Sequence, residues 1–456
     1  MATTYITRDI ASPGNFDKWT FSCWIKRSSV DENAQLLQQG SSSSNYDQLR
    51  IKSGGALQFE HSPGGSVNGD YKTSKLYMDV GAWYHIVFVW DSGNATADDR
   101  MIAYTNGVRE TNLSTYSAPT LNQDSIINDA GSDRPMVIGA ASYDGGSSHT
   151  QNFNGVMSWV QFVDGAALAP TEFGEVDSTS GIWKIKTTPY ATPGTNGYCL
   201  KMEDRTNLDL DSSSNAHTFT TGGTLTATYD NPSNNFATFN PLQNYIPAHT
   251  FSNGNDTITT TNASETYSMS TMGVSAGKWY FEALLDASTY SIYSQIGIAA
   301  APGRAAGDYI GQETWAYGTG FDNTGQYRQD GSATSYGNTW TGGDYLGCYM
   351  DLDNNKVYFA INGVIQNSGT GISITAAANT TGYGNYFFCI GERHSDDSIW
   401  YCNFGNGYFG TTAIGSPEED AGGIGAFKYD PSAGTFDGSS KDFRALCTKN
   451  IKAYGG

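Results

Sequence analysis

Apolar side chains in this chain recur at every second position and almost never at every third or fourth. That single periodicity excludes helical bundles and α/β folds, because a strand shows alternate residues to opposite faces while a helix needs a 3.6-residue repeat. In Trp19-Thr20-Phe21-Ser22-Cys23-Trp24-Ile25-Lys26, Phe21, Cys23 and Ile25 alternate with mostly polar neighbours. Further strands are predicted over 84–90, 101–105, 156–163 and 197–202. A second set falls over 277–285, 294–299, 343–353, 356–361, 386–390 and 399–404. Asn106-Gly107 and Asn362-Gly363 each follow a strand-like run and mark tight hairpins. Pro170-Thr171-Glu172-Phe173-Gly174 is the one short helical turn expected, with Pro suited to its start. The fold class is therefore all-β, two antiparallel β-sandwiches with a structured connector. The predicted boundaries are 1–176 for the first sandwich, 177–250 for the connector, 251–410 for the second and 411–456 for a tail. Phe236, Phe239 and Leu242 recur at every third position in the connector, between Pro232 and Pro241, and are expected to dock on a sandwich surface.

Composition matters where it narrows function. With 54 Gly, 29 Tyr and 21 Phe in 456 residues, the chain suits short strands and tight turns and argues against disorder. A net charge of −20 repels nucleic acid and anionic lipid. The longest apolar runs, 86–90 and 386–390, fall far short of the ~18 residues a membrane span needs. Residues 1–5 lead into polar sequence, so no signal peptide is expected. The six cysteines include no CxxC pair, and Cys23, Cys348, Cys389 and Cys402 sit in strand-like runs. They are expected as small buried hydrophobes in a protein kept reduced.

Particular residues carry a resemblance. Phe21-Ser22-Cys23-Trp24-Ile25-Lys26, Trp83-Tyr84-His85-Ile86-Val87, Tyr104-Thr105-Asn106-Gly107 and the stretch from Phe153-Asn154-Gly155 to Ala167-Leu168 resemble a laminin-G-like, concanavalin-type jelly roll. Gly277-Lys278-Trp279-Tyr280-Phe281-Glu282, Ile296-Gly297-Ile298-Ala299, 343–347, 351–353, 358–363 and Asn403-Phe404-Gly405 occur in the order of a SPRY domain. Segments 211–215, 231–242 and 443–450 are similar to stretches that recur around SPRY-type domains in bacteriophage virion proteins. The resemblances imply two domains that bind rather than catalyse, an implication of fold analogy.

Catalytic patterns are absent. Jelly-roll glucanases carry E-x-D-x-x-E, which does not occur in this sequence. Glu172 and Glu175 fall in the helical turn, and Glu418-Glu419-Asp420 in a polar loop. No G-x-S-x-G, HExxH or P-loop is present. The histidines (His61, His85, His149, His217, His249 and His394) are scattered, and His85 reads as a packed core residue. For metal, the resemblance brings Ca²⁺ into view: Asp91, Asn94, Asp98 and Asp99 supply hard oxygens from one loop, although these are also ordinary turn residues. For ligand, Trp315, Trp340 and Tyr327 lie in a stretch rich in Gly, Asn, Asp and Gln, the mixture that stacks and hydrogen-bonds a sugar.

The resulting expectation is a non-catalytic phage virion surface protein, a tail fibre or host-recognition component, made in the bacterial cytoplasm and binding a host surface glycan. A homotrimer in contact with other virion proteins is the expected assembly. A capsid decoration or head fibre is the alternative within that class, and a glycan depolymerase the alternative outside it.

Overall fold

The computed structural model describes residues 4–243, 249–260, 265–291, 293–304, 307–393 and 397–455. Two compact units emerge, Met1–Ala227 and Thr228–Gly456. Strand dominates both, and the α-helix found among the described residues is the seven-residue Thr448–Tyr454.

In the first unit an eight-stranded sheet runs edge to edge through Leu113–Ser117, Gly69–Leu76, Ala56–Ser62, Asn45–Ile51, Ala34–Ser42, Met136–Ile138, Tyr5–Arg8 and Thr220–Gly222. A six-stranded sheet runs through Tyr198–Leu200, Gly155–Asp164, Lys18–Arg27, Trp83–Asp91, Met101–Thr105 and Val108–Arg109. All the ladders between them are antiparallel. The predicted alternation fills the core: Trp19, Phe21, Cys23 and Ile25 meet Ile86, Phe88 and Trp90 there, with Leu49, Ile51, Leu57 and Phe59 from the larger sheet. Each fully buried side chain of this kind stabilises by roughly 1.5–3 kcal/mol. Asn106 and Gly107, both at positive φ (49° and 80°), form the expected hairpin turn. The helical turn is a 3₁₀ segment, Pro170–Glu172.

The six-stranded sheet buries its other face too. Trp24, Trp83, Trp159 and Cys199 pack there under Trp183 and Ile185 of the hairpin Gly174–Val176/Trp183–Ile185. His85 lies on this face, fully buried as expected. Trp183 Nε1 donates to its Nδ1 at 3.0 Å, so Nε2 carries the proton and faces Ser22 Oγ at 2.9 Å. Burial drives its pKa down to about 3.

In the second unit one sheet runs through His249–Ser252, Thr257–Thr260, Ser398–Asn403, Lys278–Leu285, Tyr345–Asp351, Lys356–Ile361 and Val364–Ile365. Ile372–Ser373 joins Lys356–Ile361, and Arg444–Ala445 runs parallel to Lys278–Leu285. The facing sheet runs through Thr266–Met269, Phe387–Glu392, Ser294–Ala299, Thr319–Asp322, Gln326–Gln329 and Ser332–Ser335. Trp279, Phe281, Met350, Val357 and Phe359 enter the core between them. Tyr280, Tyr349 and Tyr358 alternate with these and turn outward, where Phe427, Phe436, Phe443, Ala445 and Cys447 of the tail cover them.

The stretch 177–250, read from sequence as one connector, is divided. Tyr198–Leu200 and Thr220–Gly222 complete sheets of the first unit, whereas residues from 228 onward belong to the second. There, segments 231–242 and 443–450 lock together. Ala237 N–H donates to Leu446 O and Thr448 N–H to Asn235 O, both at 2.9 Å, and Lys449 N–H reaches Asn234 Oδ1. Phe236 and Phe239 are buried, but Leu242 is 52% exposed and does not dock. Phe236 and Phe239 are seated by bridges to Cys447 and Ser270, whereas Leu242 lies past them in the 3₁₀ turn Pro241–Gln243, which holds no buried residue. All six cysteines are buried free thiols.

Candidate functional site

The eight-stranded sheet has a face turned away from its core, and sequence alternation decides what it carries. In Asn45–Ile51 the inward residues are Asp47, Leu49 and Ile51, which leaves Tyr46, Gln48 and Arg50 outward. In Ala56–Ser62, Leu57 and Phe59 are inward, and Gln58 and Glu60 outward. Register then sets these groups side by side: Gln48 opposite Glu60, Arg50 opposite Gln58, and Glu60 opposite Asp70. Gln38 lies beside Gln48 on the same face.

The outcome is a lattice of amides, carboxylates and one guanidinium. Gln48 Nε2 and Arg50 Nη2 both donate to Glu60 Oε2. Gln58 Nε2 donates to Glu60 Oε1 at 3.1 Å and to Asp70 Oδ1 at 3.0 Å, while its own oxygen accepts from Arg50 at 3.3 Å. Residues 142–151 cross this face. Ser142 exchanges hydrogen bonds with the Gln38 amide at 2.8 and 3.1 Å. Tyr143 OH donates to Gln48 Oε1 at 2.7 Å, and Arg50 Nη1 donates to Gln151 Oε1 at 3.0 Å. Gln48 is thereby only 1% exposed and Arg50 8%. Gln151 also lines a cavity of about 360 Å³ with Asp31, Glu32, Asn33, Ser53, Asn152 and Asn154. Glu32 accepts from Asn154 Nδ2 at 2.7 Å, and Asn33 from the backbone of Ser53 at 3.0 Å. Such a set of fixed polar groups recognises hydroxyls rather than apolar ligands.

None of these residues stands out in sequence. Gln, Arg and Glu at alternate strand positions look like an ordinary solvated face. Only the exclusively polar outward sets of two neighbouring strands hinted at it.

A second polar group hides in the core. Asp47 Oδ1 accepts from His61 Nδ1 at 2.6 Å. Its Oδ2 accepts from Ser125 Oγ at 2.6 Å and from the backbone N–H groups of Ile126 and Ile127. Serine and histidine both serve the carboxylate rather than each other, and Asp47 and His61 are fully buried, so no nucleophile is built here.

The residues singled out in sequence fall differently. Trp340 is 4% exposed, inside the second unit's core against Phe321 and Trp400, and cannot contact a ligand. Register carries it there, because Trp340 N–H is held by Asn323 O at the end of a core strand. Tyr327 packs on that core, edge-on to Tyr336. Trp315 is half-buried beneath the Arg304 guanidinium, 4.1 Å from the ring centre. The three do not form one surface. Among the acids, Asp91 pairs with Lys18 at 3.3 Å and Asp99 with Arg109 at 2.6 Å, while Asp98 is exposed and contributes its backbone carbonyl to Arg109. The charges of Asp91 and Asp99 are spent on separate cations, and among the described residues no three His, Cys, Asp or Glu side chains converge as metal ligands. Glu418 and Glu419 form a short exposed strand rather than a loop. Asp420 is buried and accepts from the backbone of Ile424, Gly425 and Ala445. His394 lies outside the described residues.

The second unit holds two buried carboxyls. Glu282 accepts from Tyr280 OH, Asn403 Nδ2 and the Lys428 N–H, and burial pushes it up to about 7. Glu392 accepts from Ser294 Oγ at 2.9 Å and is pushed up to about 8 by burial.

Comparison with known proteins agrees with this architecture. Residues 2–172 match the protein-family model described as the concanavalin A-like lectin/glucanases superfamily, and residues 278–390 match that of the SPRY domain. Both domain resemblances are thus borne out. An ATP-dependent RNA helicase, DDX1 of Xenopus laevis, is 33% identical over 94 residues, 21% of this chain and 12% of that protein. Among solved structures, the SPRY domain of human HERC1 is 15% identical, with a TM-score of 0.27, over 36% of this chain and 96% of that one. A heptameric SAP-like pentraxin from Limulus polyphemus is 17% identical, with a TM-score of 0.30, over 49% and 90%. Among the described residues no helix is long and apolar enough to cross a membrane.

Proposed function

We propose that this chain is a non-catalytic glycan-binding protein of a bacteriophage virion surface, a tail fibre or host-recognition component. The observation that carries glycan binding is the fixed polar face of Gln48, Arg50, Gln58, Glu60 and Asp70, continuous through Gln151 with an all-polar cavity. The superfamily matched by this domain includes lectins, which supports the reading. Non-catalytic action is proposed because the sequence carries no E-x-D-x-x-E strand to supply a glycosidase pair. The virion setting rests on segments 211–215, 231–242 and 443–450, which resemble stretches that recur around SPRY-type domains in bacteriophage virion proteins. Weak single sites suit a multimer, with a homotrimer as the assembly, since linked copies raise apparent affinity ~10²–10⁴-fold.

Adsorption of the purified protein to host cells and to their extracted polysaccharide tests this. Binding without shortening of the polymer is expected, and Arg50→Ala should abolish it. Shortening of the polymer would establish the depolymerase alternative. Absence of adsorption, with the protein found on capsids, would establish decoration.

A further inference from the structure

The loop that crosses the polar face is held there chiefly by side-chain hydrogen bonds, and at its end Gln151 O also accepts from the Gln35 N–H at 3.1 Å. Residues 141–150 are closed at the root by paired backbone hydrogen bonds between Ala141 and Thr150, at 2.8 and 2.9 Å. Gly145 and Gly146, both at positive φ, turn its tip, and Asp144 holds that turn through Ser142 and Ser148. None of its side chains belongs to the apolar core clusters of the unit. Its hold on the sheet is polar, supplemented by the edge contact of Tyr143 with Tyr46 and the stacking of His149 on Tyr5.

What the loop offers the sheet has a recognisable chemistry. The Tyr143 hydroxyl donates to Gln48 Oε1 and accepts from Gln151 Nε2 at 3.1 Å, while the oxygen of Gln151 accepts from Arg50 Nη1. Seen from the sheet, a hydroxyl donor stands beside an amide oxygen acceptor, and the nitrogen of that amide donates to the hydroxyl. Two neighbouring hydroxyls of a sugar ring present the same pattern. The receiving groups, Gln48 and Arg50, are both more than nine-tenths buried and held by Glu60. They would stay in place if the loop left.

We propose that Gln48 and Arg50 form a subsite for a vicinal diol of a neutral saccharide, and that Tyr143 and Gln151 occupy it as a built-in stand-in that the ligand displaces. The proposal rests on the glycan-binding reading and names its ligand class. A binding-competent state that must first shed the loop lowers apparent affinity by the fraction of molecules in which the loop is open. Removing the stand-in should therefore tighten binding.

The test uses the whole chain and four neutral polysaccharides, dextran, mannan, galactan and starch, each also after periodate oxidation, which cleaves vicinal diols. Hydrogen exchange is followed over 142–151. At least one intact polymer should bind, its oxidised form should not, and exchange over 142–151 should rise on binding. The double variant Tyr143→Phe/Gln151→Ala should bind about tenfold more tightly. Equal or weaker binding by a folded double variant overturns the proposal, as does protection of 142–151 by ligand in the wild type, a readout that needs no variant. Binding that survives oxidation overturns the diol assignment and leaves glycan binding standing. Failure of all four polymers to bind either protein overturns the glycan reading and the proposal with it.

Discussion

The first unit takes an imidazole, His85, into an apolar interior with only neutral partners, whereas the second buries two carboxyls, Glu282 and Glu392, alongside an imidazole of its own, His249. The fully buried Asp47 of the first unit, by contrast, faces an imidazole, His61. Neither glutamate has a cationic side chain among its hydrogen-bond partners, only hydroxyls, an amide and a backbone N–H. An unpaired buried group holds its neutral form, so the two sandwiches respond to pH in opposite directions.

That contrast yields the largest expected effect. His85 stays neutral in the folded protein down to about pH 3 but takes up a proton near 6.5 once unfolded. Acid therefore favours unfolding of the first unit as pH falls below 6.5, by up to about 5 kcal/mol at pH 3. The glutamates act in reverse. They remain protonated in the folded state up to about 7 and about 8, whereas the unfolded side chains ionise near 4.5. The second unit loses stability as pH rises from 4.5 through 8, by up to about 3 kcal/mol from Glu282 and about 5 from Glu392. His249, lowered to about 4 by burial, adds an acid-sensitive contribution to the second unit, which reprotonation of the glutamates offsets. Calorimetry of the whole chain between pH 4 and 8.5 should show the two transitions diverge. Glu392→Gln should flatten the alkaline loss, and a loss that persisted in Glu282→Gln/Glu392→Gln would break the comparison.

Core truncations come next. Trp340→Ala and Phe239→Ala should each destabilise the second unit by about 3–5 kcal/mol, with the first unit unmoved, because both side chains lie in its core. Leu242→Ala, three residues from Phe239, should stay within about 0.5 kcal/mol. Chemical denaturation read through the two transitions separates these outcomes. A smaller effect is expected at the second unit's rim, where Trp315→Ala removes the Arg304 contact and should lower its stability by about 0.5–1 kcal/mol. The smallest is expected in the first unit's acidic loop. Adding Ca²⁺ or a chelator should leave its melting temperature unchanged, since Asp91 and Asp99 are already paired with Lys18 and Arg109. A rise with Ca²⁺ would show that these ion pairs yield to the metal.

Much of the architecture could be read in advance because it is local. The alternation at Trp19–Ile25 decided which side chains enter the core. Asn106-Gly107 and Asn362-Gly363 dictated hairpins because both adopt the positive φ that such turns demand. The site was less legible. Trp340 carried the composition of a surface ligand contact, yet its position beside Asn323 puts it in the core. The polar face went unseen because Gln48, Gln58, Glu60 and Asp70 become a lattice only when three strands are set in register.

Two β-sandwiches, their hairpins, free buried cysteines and a strongly acidic charge balance follow from periodicity, turn chemistry and charge, which act within a few residues or over the whole chain. Other features come from the assembled fold: residues 177–250 are shared between two units, segments 231–242 and 443–450 lock together, and Tyr143 and Gln151 rest on Gln48 and Arg50. Those pairings join residues about a hundred or two hundred positions apart. They are fixed by strand register and packing, which depend on every strand between them and leave no mark in any short stretch of sequence.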